Sequence, residues 1–129
     1  MNPGSTENRL SKRIYEAVSE KIFIPMRDGV KLGANLVRPD RPDPRLQYPA
    51  LLTYDPYRAT EGDSLPRLGY FAEHGYYGVH VDLRGTGMSQ GLEVPNQYSE
   101  QERQDAEDII AWLAAQPWSN GNVGMFGTS

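Results

Sequence analysis

The sequence predicts an α/β fold, with an antiparallel hairpin leading into a parallel, doubly wound sheet. Three observations carry this. Stretches that alternate apolar and polar residues come first, on either side of an Asp-Gly turn. Short, nearly continuous apolar runs follow, ALLTY at 50–54 and YGVHVDL at 77–83, the pattern of strands covered on both faces. Segments with apolar residues at helical spacing lie between and after these runs, giving the strand-helix-strand order of a parallel sheet.

Element by element, MNPGSTENRLSK at 1–12 is polar and reads as a frayed arm. Ile14, Glu16 and Val18, then KIFI at 21–24, have strand character. MRDG at 26–29 supplies the turn, and VKLGANLVRP at 30–39 is the returning strand. DRPDPR at 40–45 carries prolines that forbid a regular ladder and is a loop. After ALLTY, the segment DPYRATEGDS is rich in turn formers. In LPRLGYFAEHG, Leu65, Leu68, Phe71 and Ala72 recur at helical spacing ahead of Gly75, a C-terminal cap. The strand at 77–83 comes next. SEQERQDAEDIIAWLAAQPW at 99–118 is the clearest helix: Ser99 and Glu102 form a capping box and acidic residues crowd the first turns. Ala106, Ile109, Ile110 and Leu113 make a stripe that ends before Pro117. NVGMFG at 122–127 is a third short strand.

A chain of 129 residues fits one domain, and its 38% hydrophobic content excludes a disordered tail. The net charge of -4, without a basic run, gives no footprint for a nucleic-acid backbone. With no cysteine, disulfides and thiolate metal sites are excluded; His74 and His80 are too few for a self-contained zinc site without carboxylate help, and no cofactor is expected. No apolar run near the start resembles a secretion signal, so the expectation is a cytoplasmic protein without a membrane partner.

Candidate functional residues cluster where strands end. Gly127-Thr128-Ser129 is the first half of G-x-S-x-G, the nucleophile elbow, whose small residues let a serine sit on a tight strand-to-helix turn. On spacing alone it reads equally as a strand that simply ends in Gly-Thr-Ser. Asp82-Leu83-Arg84-Gly85-Thr86-Gly87 lacks the third glycine of a dinucleotide loop and the Gly-Lys-Ser/Thr of a P-loop. Asp82 and Arg84 are read as loop organisers, the arginine through backbone carbonyls and a nearby carboxylate. His80, in mid-strand, is a hydrogen-bonded core or face histidine, and His74 meets the carbonyl end of a helix. Tyr54 is assigned to the core, Trp112 and Trp118 to packing, and residues 100–108 to a solvated helix face.

IPMRDGVKL, NLVRP, YDPYR, GYFAEHGYYGVHVDLRGTGMSQG and AWLAAQPWSNGNVGMFGTS, in that order, resemble the CocE/NonD hydrolases, relatives of cocaine esterase and of the X-Pro dipeptidyl-peptidases. Ser119 stands where many relatives have cysteine, a departure with no catalytic weight. The resemblance implies an α/β-hydrolase fold in which residues 13–129 are the N-terminal part of the catalytic domain, truncated at the elbow. It implies Ser129 as nucleophile and Tyr57 as an oxyanion-hole donor. Without it, Tyr57 reads as a loop tyrosine lying on the sheet edge. In this fold the triad acid and histidine follow the serine in chain order, which excludes Asp82 and puts both beyond Ser129. The expectation is therefore a hydrolase of small-molecule esters or amides when intact, inactive as 129 residues alone. The alternatives are an X-Pro dipeptidyl-peptidase-type peptidase and a non-catalytic α/β binding module.

Overall fold

The computed structural model describes residues 14–91 and 100–127. The expected arm at 1–12, Ser99 of the expected capping box and Ser129 lie outside the described residues. Strands β1 (Ala17–Pro25) and β2 (Lys31–Pro39) form the expected hairpin, in unbroken antiparallel register from Ala17↔Pro39 to Pro25↔Lys31. Its turn closes where the Gly29 N–H donates to the Met26 carbonyl at 2.9 Å. The first strand starts later than its apolar pattern predicts. Ile14 and Tyr15 donate their N–H groups to the Glu73 carbonyl, at the end of helix α1 (Leu65–Glu73), so they cap a helix before the ladder begins.

Strands β3 (Tyr48–Asp55), β4 (Tyr77–Asp82) and β5 (Ser119–Met125) complete a five-stranded sheet of order β1-β2-β4-β3-β5. β4 runs antiparallel to β2 and parallel to β3, and β3 runs parallel to β5. α1 connects β3 to β4, and helix α2 (Glu100–Ala114) precedes β5. The two helices cover opposite faces. Ile109 and Leu113 of α2 join the larger core with Leu32, Leu52, Val79 and Val81, while Leu68 and Ala72 of α1 pack with Val37. β4, central and covered on both sides, is buried at every position.

Two strand expectations need correction. β3 alternates between buried and half-buried positions rather than being covered throughout, because α1 lies over β1, β2 and β4 and not over β3. β5 is mostly exposed and begins at Ser119, since among the described residues it is an edge strand paired only with β3. The end of α1 matches its prediction. Gly75 adopts φ 92°, and the N–H groups of Gly75 and Tyr76 donate back to Ala72 and Phe71, the paired bonds of a Schellman cap. His74 Nδ1–H donates to the Tyr70 carbonyl at 2.7 Å, again at that helix end. Trp118 stacks on Tyr77 with ring centroids 4.0 Å apart, and Trp112 packs against the same core. Among the described residues, no helix is long and apolar enough to cross a membrane.

Candidate active site

The parallel strands deliver their ends to one edge of the sheet, where ligands bind in open α/β sheets. Asp55 and Asp82, the last residues of β3 and β4, are direct register partners there. Beyond Asp55 the chain makes a tight loop through Tyr57 into a 3-10 turn at Ala59–Glu61. Each side of this loop is clamped by a buried carboxylate. Asp55 Oδ1 accepts the Tyr57 N–H at 3.0 Å, and Asp82 accepts the N–H of Ala59 at 2.6 Å, the N–H of Thr60 at 3.1 Å and the Thr60 hydroxyl. Asn35, in the adjoining strand, donates to the Ala59 carbonyl at 2.8 Å.

Between these anchors Arg58 is held at φ 59° and ψ 49°, the only non-glycine positive φ among the described residues. A non-glycine residue in this region costs about 1–3 kcal/mol and persists only where its surroundings fix it. The loop's hydrogen bonds do so here. Tyr57 itself, by contrast, is 63% exposed. A rigid backbone thus presents an unburied phenol at the sheet's carboxyl edge.

Strand β5 brings its end to the same place. Leu52 pairs with Met125, and the Phe126 N–H donates to the Leu52 carbonyl at 3.0 Å, so the chain leaving β5 runs beside the strand that leads into the Tyr57 loop. Ser129 follows shortly, outside the described residues.

Asp82 is the loop organiser its sequence position predicts, fully buried and saturated by the Tyr57 loop. Arg84 organises through carboxylates, one part of the route expected. Among the described residues its guanidinium donates to no backbone carbonyl; it forms two 2.8 Å bonds to the Asp105 carboxylate of α2 and one of 3.0 Å to Asp28 in the hairpin turn. Arg84 in turn holds the Asp28 carboxyl below its usual range. This corrects the reading of 100–108 as a wholly solvated face: Asp105 is 1% exposed. Tyr54 packs against the core as assigned, and burial pushes its phenol above the ordinary range.

His80 is the buried face histidine expected from mid-strand, with partners that sequence did not reveal. Its Nε2–H donates to Asp55 Oδ2 at 2.9 Å, and its Nδ1 meets Ser64 Oγ at 3.3 Å. Burial pushes the Asp55 carboxyl up, but the bonds from His80 and the Tyr57 N–H outweigh it and the net shift is downward. Ser64, His80 and Asp55 have the residue types of a hydrolytic triad. They cannot act as one, because Ser64 is 4% exposed and its oxygen already accepts from Asn35 Nδ2 at 2.9 Å. The ring also turns Nδ1 to the serine, where a triad base turns Nε2.

Sequence reasoning missed Asp55, Ser64 and Asp105. For Asp55 a signal was available, since aspartate before proline in a turn often caps its own backbone. Ser64 occupies the N-cap of α1 but makes no side-chain cap bond, because its hydroxyl serves the buried network.

A mixed sheet with helices on both faces and its functional loops at the carboxyl edge is an α/β architecture, and the solved structures it matches place it among the α/β-hydrolases. Over 87% of its length the chain superposes on a CocE/NonD family hydrolase from Staphylococcus aureus, with a TM-score of 0.71 and 33% identity, covering 23% of that chain. It likewise covers 21% of an α-amino acid ester hydrolase, with a TM-score of 0.67 and 31% identity. Residues 28–129 match the X-Pro dipeptidyl-peptidase (S15) family, and the chain belongs to that family. It is also 41% identical over 118 residues to cocaine esterase of Rhodococcus sp. (strain MB1 Bresler). That match takes in 88% of this chain and 19% of the esterase, so the chain spans about a fifth of the relative's length.

Proposed function

We propose that the complete protein is a serine hydrolase of carboxylic esters or amides, acting through an acyl-enzyme. Ser129 Oγ attacks the carbonyl carbon, the bond to the leaving alcohol or amine breaks, and water then cleaves the acyl-serine. The Tyr57 hydroxyl donates to the oxyanion of each tetrahedral intermediate, together with the backbone N–H that follows the serine. The base and its acid come from outside this chain, since both follow the nucleophile in this fold. His80 is buried and bonded to Asp55, and His74 serves a helix end, so neither is free for that role.

The observation that carries the reading is the exposed Tyr57 phenol on a backbone fixed at both sides, beside the strand that leads to Ser129. The names of the relatives point to two substrate classes, esters for cocaine esterase and α-amino acid ester hydrolase, and dipeptidyl amides for the S15 family. Turnover of p-nitrophenyl esters and of aminoacyl-proline p-nitroanilides by the complete protein distinguishes them. The expected outcome is release of p-nitrophenol or p-nitroaniline that Ser129→Ala abolishes. Undiminished turnover in that variant would overturn the assignment.

A further inference from the structure

The loop that presents Tyr57 is tied to a buried polar chain that neither the fold nor the hydrolytic reading requires. Asn35 Nδ2 donates to Ser64 Oγ at 2.9 Å, Ser64 Oγ meets His80 Nδ1 at 3.3 Å, and His80 Nε2–H donates to Asp55 Oδ2 at 2.9 Å. The remaining carboxylate oxygen, Oδ1, accepts the Tyr57 N–H at 3.0 Å. An ionised carboxylate only accepts, so His80 Nε2 carries a proton, and its Nδ1 shares the remaining bond with the Ser64 hydroxyl. Every member is buried or nearly so; the side chains of His80 and Asp55 are 8% and 13% exposed.

We propose that Asp55 and His80 are positioning residues for Tyr57, fixing the carboxylate on which the tyrosine's backbone is hung and thereby the place of its hydroxyl. The proposal rests on the reading of Tyr57 as an oxyanion donor. Four features carry it. Tyr57 exposes its ring and so takes little orientation from packing. Its own N–H is bonded to Asp55. The residue after it is held in a left-handed conformation. A carboxylate bonded only to a turn N–H could rotate about its side-chain torsions, whereas the His80 bond at the second oxygen fixes its plane. A donor worth its place only in the transition state must be held to a fraction of an ångström, and misplacement by about 1 Å can cost on the order of 100-fold in rate.

The test is a double-mutant cycle in the complete protein with Asp55→Ala, Tyr57→Phe and the pair, using whichever p-nitrophenyl ester or p-nitroanilide the wild type turns over. Asp55→Ala is expected to lower kcat about 10-fold to 100-fold with KM nearly unchanged. In the Tyr57→Phe background the same substitution is expected to add almost nothing, because the hydroxyl it positions is gone. Asp55→Asn, which keeps an oxygen for the Tyr57 N–H but sets an amide N–H against His80 Nε2–H, recovers only part of the rate lost in Asp55→Ala. His80→Gln gives the same non-additive pattern and serves as the second entry to the cycle if Asp55→Ala does not fold. Losses that multiply in the double variant, an unchanged kcat, or an effect confined to KM would overturn the proposal. Labelling of Ser129 by a fluorophosphonate, run on the same wild-type sample, separates the two failures. If labelling is present and the cycle is additive, only the positioning role falls. If labelling is absent, the hydrolytic reading falls and the positioning role with it.

Discussion

Arg84 and Asp105 face one another fork to fork, two parallel bonds of 2.8 Å joining the loop after β4 to helix α2 in a site that leaves Asp105 1% exposed. Bidentate geometry is the strongest form of such a pair. Its removal is also costly, because a truncated partner strands a buried charge. Asp105→Ala is therefore expected to destabilise the protein by about 3–5 kcal/mol, read as a shift in the denaturant midpoint. Arg103, bonded at the surface to Glu100 and Glu107, provides the contrast. Arg103→Ala should leave the denaturant midpoint nearly unmoved, since exposed ion pairs are weak.

Gly87 sits at φ 52° with the Asp82 carboxylate packed where a side chain would begin; a Cβ there would lie 2.0 Å from Asp82 Oδ2 and 2.6 Å from Thr60 Oγ1. Neither atom can retreat without releasing the Tyr57 loop. Gly87→Ala should cost about 3 kcal/mol from the clash and the left-handed backbone together. It should also reduce turnover, since the atoms displaced are those that hold Ala59 and Thr60. Calorimetry and a rate assay on one preparation check both.

Tyr57→Phe removes one hydroxyl from a residue that is 63% exposed. Stability should be unchanged, while kcat/KM of the complete protein should fall on the order of 100-fold to 1000-fold, the usual cost of an oxyanion donor. Steady-state kinetics beside a thermal melt distinguish this from a packing role, which would move the melt and spare the rate.

The Asp55 carboxyl is raised by burial but lowered further by His80 and the Tyr57 N–H, so its net shift in the folded chain is downward. A carboxyl depressed by folding contributes stability above its unfolded value, and that contribution is lost as pH falls through the folded one. Stability should therefore decline from about pH 4 downward. Asp55→Asn should make the acid limb shallower without abolishing it, because Asp28 and Asp108, held down by Arg84 and Arg27, contribute in the same sense. Urea melts across an acid pH series give the slope.

Element order and the sheet's mixed character were legible because strand and helix periodicities differ and the Asp-Gly and Gly75 signals are local. Burial along β3 and β5 was not. It depends on which strand lies at an edge and where α1 lies, and apolar runs do not carry that information. Asp82 was legible as a loop organiser from its place at a strand end. Asp105 was hidden because a charge on an amphipathic helix reads as solvated until a cation from another loop, here Arg84, is known to meet it. The His80–Asp55 bond was hidden for a related reason. It joins neighbouring strands whose pairing, Thr53↔His80 and Asp55↔Asp82, exists only once the chain has folded. Tyr57 stood out only through resemblance, its local sequence being that of an ordinary turn.

The central claim is that Ser129 is the nucleophile of a site to which this chain contributes Tyr57. The most direct measurement is peptide mapping by mass spectrometry after the complete protein has reacted with a fluorophosphonate. A single phosphonylated residue at Ser129, with esterase or amidase activity lost in step, is the predicted result. Full loss of activity with the label on another residue, or turnover that persists while Ser129 is fully modified, would contradict it.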